Sequence, residues 1–387
     1  MDEKLETQAA RLAAIDQSTL TPLVRSALGS KTVEVIDWDI QQIQGGSGGG
    51  VYASAVYRCT GHGRDRGQMV PWSLILKTFF PAADADPSSP YYPRREAEAY
   101  RSGWLDDLPG GLAAPACYGV VEHPDGVIWV WLEEVTGVAG PHWPLERYGL
   151  AARHLGQFNG ACLVEQPLPI WPWFSAQWLR RAVAKAAPAM VQLSQVLEHP
   201  LVRRWFPGKD SDRFFRMWAE RERLLDALDR LPRTICHLDA FSRNLFSRRG
   251  VGGDQTVAID WAFLGFGAVG EELEPLVCRS LLFNDVELSQ VRELDKIIFA
   301  GYLDGLRDVG WRGDPGQVRL GYTATVALRC LVGSGEAVPF VLDESLHPLA
   351  QQMFRRPFDE FLDYGAACRR FQFSLADEAL ELLDTLP

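Results

Sequence analysis

The spacing of apolar positions changes twice along this chain. Leu5, Leu12 and Ile15 fall on one face of a short N-terminal helix, after which the period shortens to that of strands. Val33, Val35 and residues 37–40 form a first extended stretch, residues 51–59 a second around Val51, Ala53 and Val56, and residues 72–79 a third. A glycine-rich connection at 45–50 joins the first two, and the segment 60–67 (TGHGRDRG) reads as the turn before the third. Pro90 and Pro93 end the extended region, residues 94–105 return to a helical period, and two more strands follow near 116–121 and 127–132.

From about residue 138 the helical period dominates. Leu150, Leu155, Phe158 and Cys162 mark one helix, Leu288, Val291, Leu294, Ile298 and Tyr302 a second, and residues 318–331 a third. The stretch between Trp171 and Leu231 is helical and rich in aromatics. One β-like island interrupts it all: Leu245-Phe246 and Val257-Ala258-Ile259 flank a glycine-containing turn. The order predicts an α+β protein. A sheet-rich lobe covers residues 1–135, and a larger helical lobe covers 138–387. Single cores stop growing near ~250–300 residues, so a chain of 387 residues fits two cores better than one.

Composition narrows the partners. With 39 Lys+Arg against 50 Asp+Glu the net charge is -11, and the basic residues are scattered, which argues against nucleic acid. The seven cysteines are far apart and form no CxxC pair, as expected of reduced core thiols and not of a disulfide frame or a zinc site. The start, MDEKLETQAARLAAI, lacks the order of a signal peptide. No run approaches the ~18 consecutive apolar residues of a membrane helix. A cytoplasmic location without membrane attachment is expected.

Four elements carry candidate chemistry. The glycine loop, with Gly46, Ser47, Gly48 and Gly49, offers backbone N–H groups to phosphate oxygens. It matches neither G-x-G-x-x-G nor a P-loop. Lys77 closes an apolar strand run, where a lysine either reaches the surface or meets an anion and a carboxylate. Glu96 and Glu98, in the following helix, both qualify as that carboxylate. Glu96 is preferred because Tyr100 then shares its face. The fourth element is His237-Leu238-Asp239 followed by Asn244, then Asp260 at the end of a short strand.

The chain has only three asparagines, at 159, 244 and 284, so an H-x-D-x-x-x-x-N match is expected by chance about 0.004 times. Phosphoryl transfer needs positioning, a metal against phosphate charge, and a carboxylate beside the attacking hydroxyl. Asp239 suits that carboxylate, and Asn244 and Asp260 offer hard oxygens to Mg²⁺. His237 is expected to satisfy backbone hydrogen bonds.

With these residues in place the chain resembles the aminoglycoside phosphotransferase and small-molecule kinase family over residues 33–340. The likeness is strongest over CHLDAFSRNLF and AIDWAFLGFGAVGEEL, and clear over GGSGGGVY, LILK, REAEAY and VWLEEV. The resemblance implies a bilobal protein-kinase-like fold with ATP or GTP and Mg²⁺ between the lobes. It implies Lys77 on the α/β-phosphates, paired to Glu96, with Ser47 and nearby backbone over the phosphates. It also implies an interlobe hinge at 132–137, whose backbone at Glu133 and Val135 holds the base. The implied acceptor is a hydroxyl of a small molecule: an antibiotic such as an aminoglycoside or macrolide, or a metabolite such as choline, homoserine or a sugar. A catalytically silent nucleotide-binding relative is the rival reading. Two departures stand out: Leu238 replaces a common glycine, and Asn159 a common histidine. The aromatics of 166–230 are expected mainly to pack helices. Glu271, Glu272 and Glu274 are candidates to receive a cationic acceptor, with Glu272 expected instead to fix loop structure.

Overall fold

The computed structural model describes residues 2–43, 54–81, 86–164, 168–250 and 252–385. Gly46, Ser47, Gly48 and Gly49 therefore lie outside the described residues. The chain divides into two compact units. The first comprises Met1–Ala85, Pro93–Asp107 and Ala113–Thr136, and the second Asp86–Tyr92, Leu108–Leu112 and Gly137–Pro387.

The first unit is built on a five-stranded antiparallel sheet. In spatial order the strands are Glu34–Ile43, Ser54–Asp65, Gln68–Phe79, Ile128–Glu133 and Cys117–Glu122. The segment 60–67 is mostly strand and not turn. Pairing continues to Asp65–Gln68, and only Arg66 and Gly67, both at positive φ, make the reversal. Gly61 and Gly63 read as turn residues by composition, yet they let the neighbouring strand and Trp72 approach. A Cβ on Gly61 would lie 2.1 Å from the Asp37 carbonyl oxygen.

The N-terminus holds two helices, Asp2–Ala13 and Gln17–Leu28, where periodicity shows one. Asp16 separates them by capping the second through the Thr19 N–H at 2.8 Å. Strand alternation in Gln68–Phe79 sends Trp72, Leu74 and Leu76 into a core with Leu20, Val24, Tyr57 and Trp131. Lys77 consequently points to the other face.

The second unit is helical. The Leu145–Val164 and Val291–Asp308 helices lie along each other, and glycines form the seam. A Cβ on Gly301 would sit 2.2 Å from the Gly149 carbonyl oxygen, and one on Gly305 2.0 Å from that of Arg153. The long Pro315–Leu342 helix packs against the Trp178–Gln195, Arg221–Arg230 and Phe358–Thr385 helices. It is the one described helix long and apolar enough to cross a membrane, and most of that window is buried in the protein. The aromatics of the insert do pack helices: Trp173, Phe174, Trp178 and Trp205 are buried, and Trp178 and Trp205 belong to the unit's main core.

Two antiparallel ladders sit among these helices, and Val138–Ala139 adds a short strand to the first, beside Leu245–Gly250. Leu245–Gly250 pairs with Gly253–Ala258, and Arg233–Cys236 with Gly265–Ala268, a pair that the sequence pattern does not show. All seven cysteines are unpaired, and six are buried. This is the protein-kinase-like fold: an antiparallel sheet in the N-terminal part and a larger helical C-terminal part.

Candidate active site

In the second unit, strand register brings two loops together. Cys236 pairs with Gly265 and Leu245 with Ala258. The segments 237–244 and 259–264 therefore leave the ends of the same two ladders, and Asn244 and Ile259 meet at the next rung. The Ile259 N–H donates to the Asn244 carbonyl at 2.9 Å. His237 ties the loops a second time, its Nε2 lying 3.0 Å from the Ile259 carbonyl oxygen while the Asp239 N–H approaches its Nδ1 at 3.2 Å. A neutral ring with the proton on Nε2 satisfies both contacts. His237 is buried against the Trp261 indole, centroid to centroid 4.5 Å. Its task is thus structural.

Asn244 turns its amide nitrogen to the Asp239 carboxylate at 3.1 Å and to the Asp239 carbonyl at 3.0 Å. Asp260 follows Ile259, which is bonded to Asn244, and its charge acts on Asp239. Burial pushes the Asp239 carboxyl up to about 7; Arg329 and Arg279 oppose this, and Asp260 and Glu274 reinforce it. A metal fits here by the chemistry of the donor set. Asn244 Oδ1 and the Asp260 carboxylate are hard oxygens, and a divalent cation relieves the repulsion between Asp239 and Asp260. Among the described residues no group of three or more His, Cys, Asp and Glu is arranged to hold a metal alone. Mg²⁺ is commonly held by one or two carboxylates plus substrate phosphates.

Two residues of this site have a backbone that L side chains seldom adopt: Leu238 at φ 65° and Asp260 at φ 66°. Each costs about 1–2 kcal/mol, so surrounding contacts must hold them. Glu272, fully buried, accepts the N–H of His237 at 2.6 Å and of Leu238 at 2.9 Å. Burial pushes its own carboxyl up to about 7, opposed by those two N–H bonds. Further along, Asp285 accepts the Ser242 hydroxyl at 2.6 Å and pairs with Arg243.

Glu271 accepts the Trp178 Nε1–H at 3.0 Å and the Ala268 N–H at 2.8 Å, and Glu274 pairs with Arg329 at 2.8 Å. All three glutamates are buried and turned to internal partners: Glu272 ties down the loop, as its expected role in loop structure requires, while the inward partners of Glu271 and Glu274 correct their candidacy to receive a cationic acceptor. Asn159 is also structural here. It donates to the Ile235 carbonyl at 2.8 Å and accepts the Tyr302 hydroxyl at 2.7 Å.

In the first unit Lys77 forms an ion pair with Glu96, at 13% and 1% side-chain exposure. Glu98 instead faces Arg94 and Arg101 on the outer side of the same helix. Glu133 ends its strand with its N–H donated to the Ala116 carbonyl and its carboxylate accepting the Ala116 N–H. Val135 follows outside any strand, half-buried.

Sequence reasoning missed Arg329 and Asp285. Arg329 had a signal: it is the single charge in the apolar run 324–333, and a charge there must find a buried partner. Asp285 had none, because only the fold brings it to the loop.

No protein-family profile matches the chain, and no curated protein matches it either. Solved structures do. An amicoumacin kinase is 12% identical over 91% of this chain and 96% of its own, at a TM-score of 0.53. A spectinomycin phosphotransferase is 12% identical over 92% of this chain and 99% of its own, at 0.49. An ethanolamine kinase of Plasmodium vivax is 12% identical over 87% of this chain and 81% of its own, at 0.47. At such identities the likeness to the first shows a shared fold.

Proposed function

We propose that this protein is a small-molecule kinase: it moves the γ-phosphoryl group of ATP or GTP to a hydroxyl of a small acceptor. The observation that carries the reading is the cross-linked loop pair, which presents Asp239, Asn244 and Asp260 together from two ladder ends. Asp239 orients the acceptor hydroxyl and takes its proton as the oxygen attacks phosphorus and the nucleoside diphosphate leaves. Asn244 and Asp260 would hold Mg²⁺, which neutralises the charge of the phosphates when bound. Lys77, fixed by Glu96, engages the α- and β-phosphates. Gly46, Ser47, Gly48 and Gly49 would cover them with backbone N–H groups, and the backbone at Glu133 and Val135 would hold the base. In support, the amicoumacin kinase of the same fold was crystallised with AMP-PNP and Ca²⁺.

The acceptor is a hydroxylated antibiotic, such as an aminoglycoside or macrolide, or a metabolite of the choline, homoserine or sugar type. The engagement of Glu271, Glu272 and Glu274 with internal partners means that any cationic acceptor is received by other groups. The test is a nucleotide-consumption screen of the purified protein against both acceptor sets, with Asp239→Ala alongside. Acceptor-dependent consumption by the wild type alone is the expected result. Equal consumption by the variant, or no acceptor response in either protein, refutes the reading.

A further inference from the structure

Leu238 is the weak point of the candidate catalytic loop. Its backbone is left-handed at φ 65°, its side chain is fully buried, and the next residue is Asp239. The peptide groups on either side are gripped. On the N-terminal side Glu272 takes the His237 and Leu238 N–H groups. On the C-terminal side the Leu238 carbonyl accepts Arg329 Nη1–H at 3.0 Å. That carbonyl belongs to the peptide that sets the direction of Asp239.

Arg329 is itself fixed three ways. Its Nε faces Glu274 at 2.8 Å, its guanidinium lies 4.6 Å from the Trp178 ring centroid, and its Nη2 stands 3.9 Å from the Asp239 carboxylate. The residue is 8% exposed and rides on the long Pro315–Leu342 core helix.

We propose that Arg329, braced by Glu274, is a positioning residue that holds Leu238 left-handed and thereby aims the Asp239 carboxylate. The assignment rests on the reading of Asp239 as the base. A glycine at position 238 adopts positive φ without steric cost, so the brace matters only while a side chain is present there. This gives a test by rescue.

Arg329→Gln and Glu274→Gln are introduced together, so that neither charge is left buried alone, in the wild type and in Leu238→Gly; Arg329→Lys is the conservative control. Hydrogen exchange at the His237 and Leu238 amides is read in the intact, ligand-free protein. Turnover and the KM for MgATP are read with the acceptor that the screen returns. In the wild-type background the double variant is expected to raise exchange at these amides at least about tenfold. It should lower kcat by about tenfold or more at unchanged KM. Arg329→Lys, which keeps the charge but not the fork, should fall between. In the Leu238→Gly background the same pair of substitutions should leave exchange within about threefold of Leu238→Gly alone.

Wild-type exchange in the double variant, or a rise in exchange that glycine does not relieve, overturns the proposal. Exchange that responds as expected in a protein with no acceptor turnover supports the brace and removes the phosphotransfer reading instead.

Discussion

The ion pair of Lys77 with Glu96 and the proposed role of Lys77 in holding nucleotide are separated by one experiment. At 13% and 1% exposure the pair is nearly dry, so Lys77→Met leaves a buried carboxylate without its cation, at a cost of about 3–5 kcal/mol. Adding Glu96→Gln removes the stranded charge, and apolar or neutral replacement of a whole buried pair is close to neutral. The stability of Lys77→Met/Glu96→Gln should therefore return to within about 1 kcal/mol of the wild type. Nucleotide affinity should not return. A hydrogen bond to a charged group contributes about 1.5–3 kcal/mol, which is roughly 10- to 150-fold in Kd. Both variants should show that loss for ADP by titration calorimetry. Stability is read by urea unfolding of the same preparations. A double variant as unstable as the single one refutes the ion-pair account. A double variant with wild-type ADP affinity refutes Lys77 as a phosphate ligand.

Other expectations follow from the same contacts. Asp260→Asn keeps a residue type that tolerates the left-handed backbone but removes the one charged donor of the proposed Asn244 and Asp260 pair, so ADP affinity should no longer differ between Mg²⁺ and chelator in calorimetry. Glu272→Ala orphans two buried N–H donors at about 1–3 kcal/mol each, and urea unfolding should show a loss of about 2–6 kcal/mol. His154, buried and bonded to Thr256 at 2.9 Å, is held down to about 4 by burial, with Arg147 and Arg153 adding to the effect. The unfolded chain takes up that proton below about 6.5 and the native protein only near 4, so stability drops as pH falls through this window. The difference between wild type and His154→Gln should shrink by about 3 kcal/mol between pH 7 and pH 4. A constant difference in urea midpoints across that range contradicts a neutral buried ring.

Most of the architecture was legible because strand alternation and helical period are local. The run from Gln68 to Phe79 shows its core face and its lysine in sequence alone. The candidate catalytic loop was legible for another reason: a His, an Asp and an Asn at fixed spacing are rare together. The Arg233–Cys236 strand escaped because four residues carry too little period, and its partner lies 29 residues on. The 60–67 segment misled because glycine and charge mark turns by composition, while Gly61 is there for the close approach of the Asp37 carbonyl and Trp72. Glu271 and Glu274 read as candidates open to substrate. Burial and hydrogen bonding, which no sequence pattern reports, turned them inward.

The glycine seam between the Leu145–Val164 and Val291–Asp308 helices has a consequence for inheritance. Gly156 lies in it too, with room for no methyl group before the Tyr302 carbonyl at 2.3 Å, and the same helix carries Asn159, which anchors Ile235 just ahead of His237. One added carbon at any of these positions moves the scaffold under the loop and spares every reactive group. Alleles such as Gly305→Ala should accordingly be conditional, active in the cold and silent in the warm.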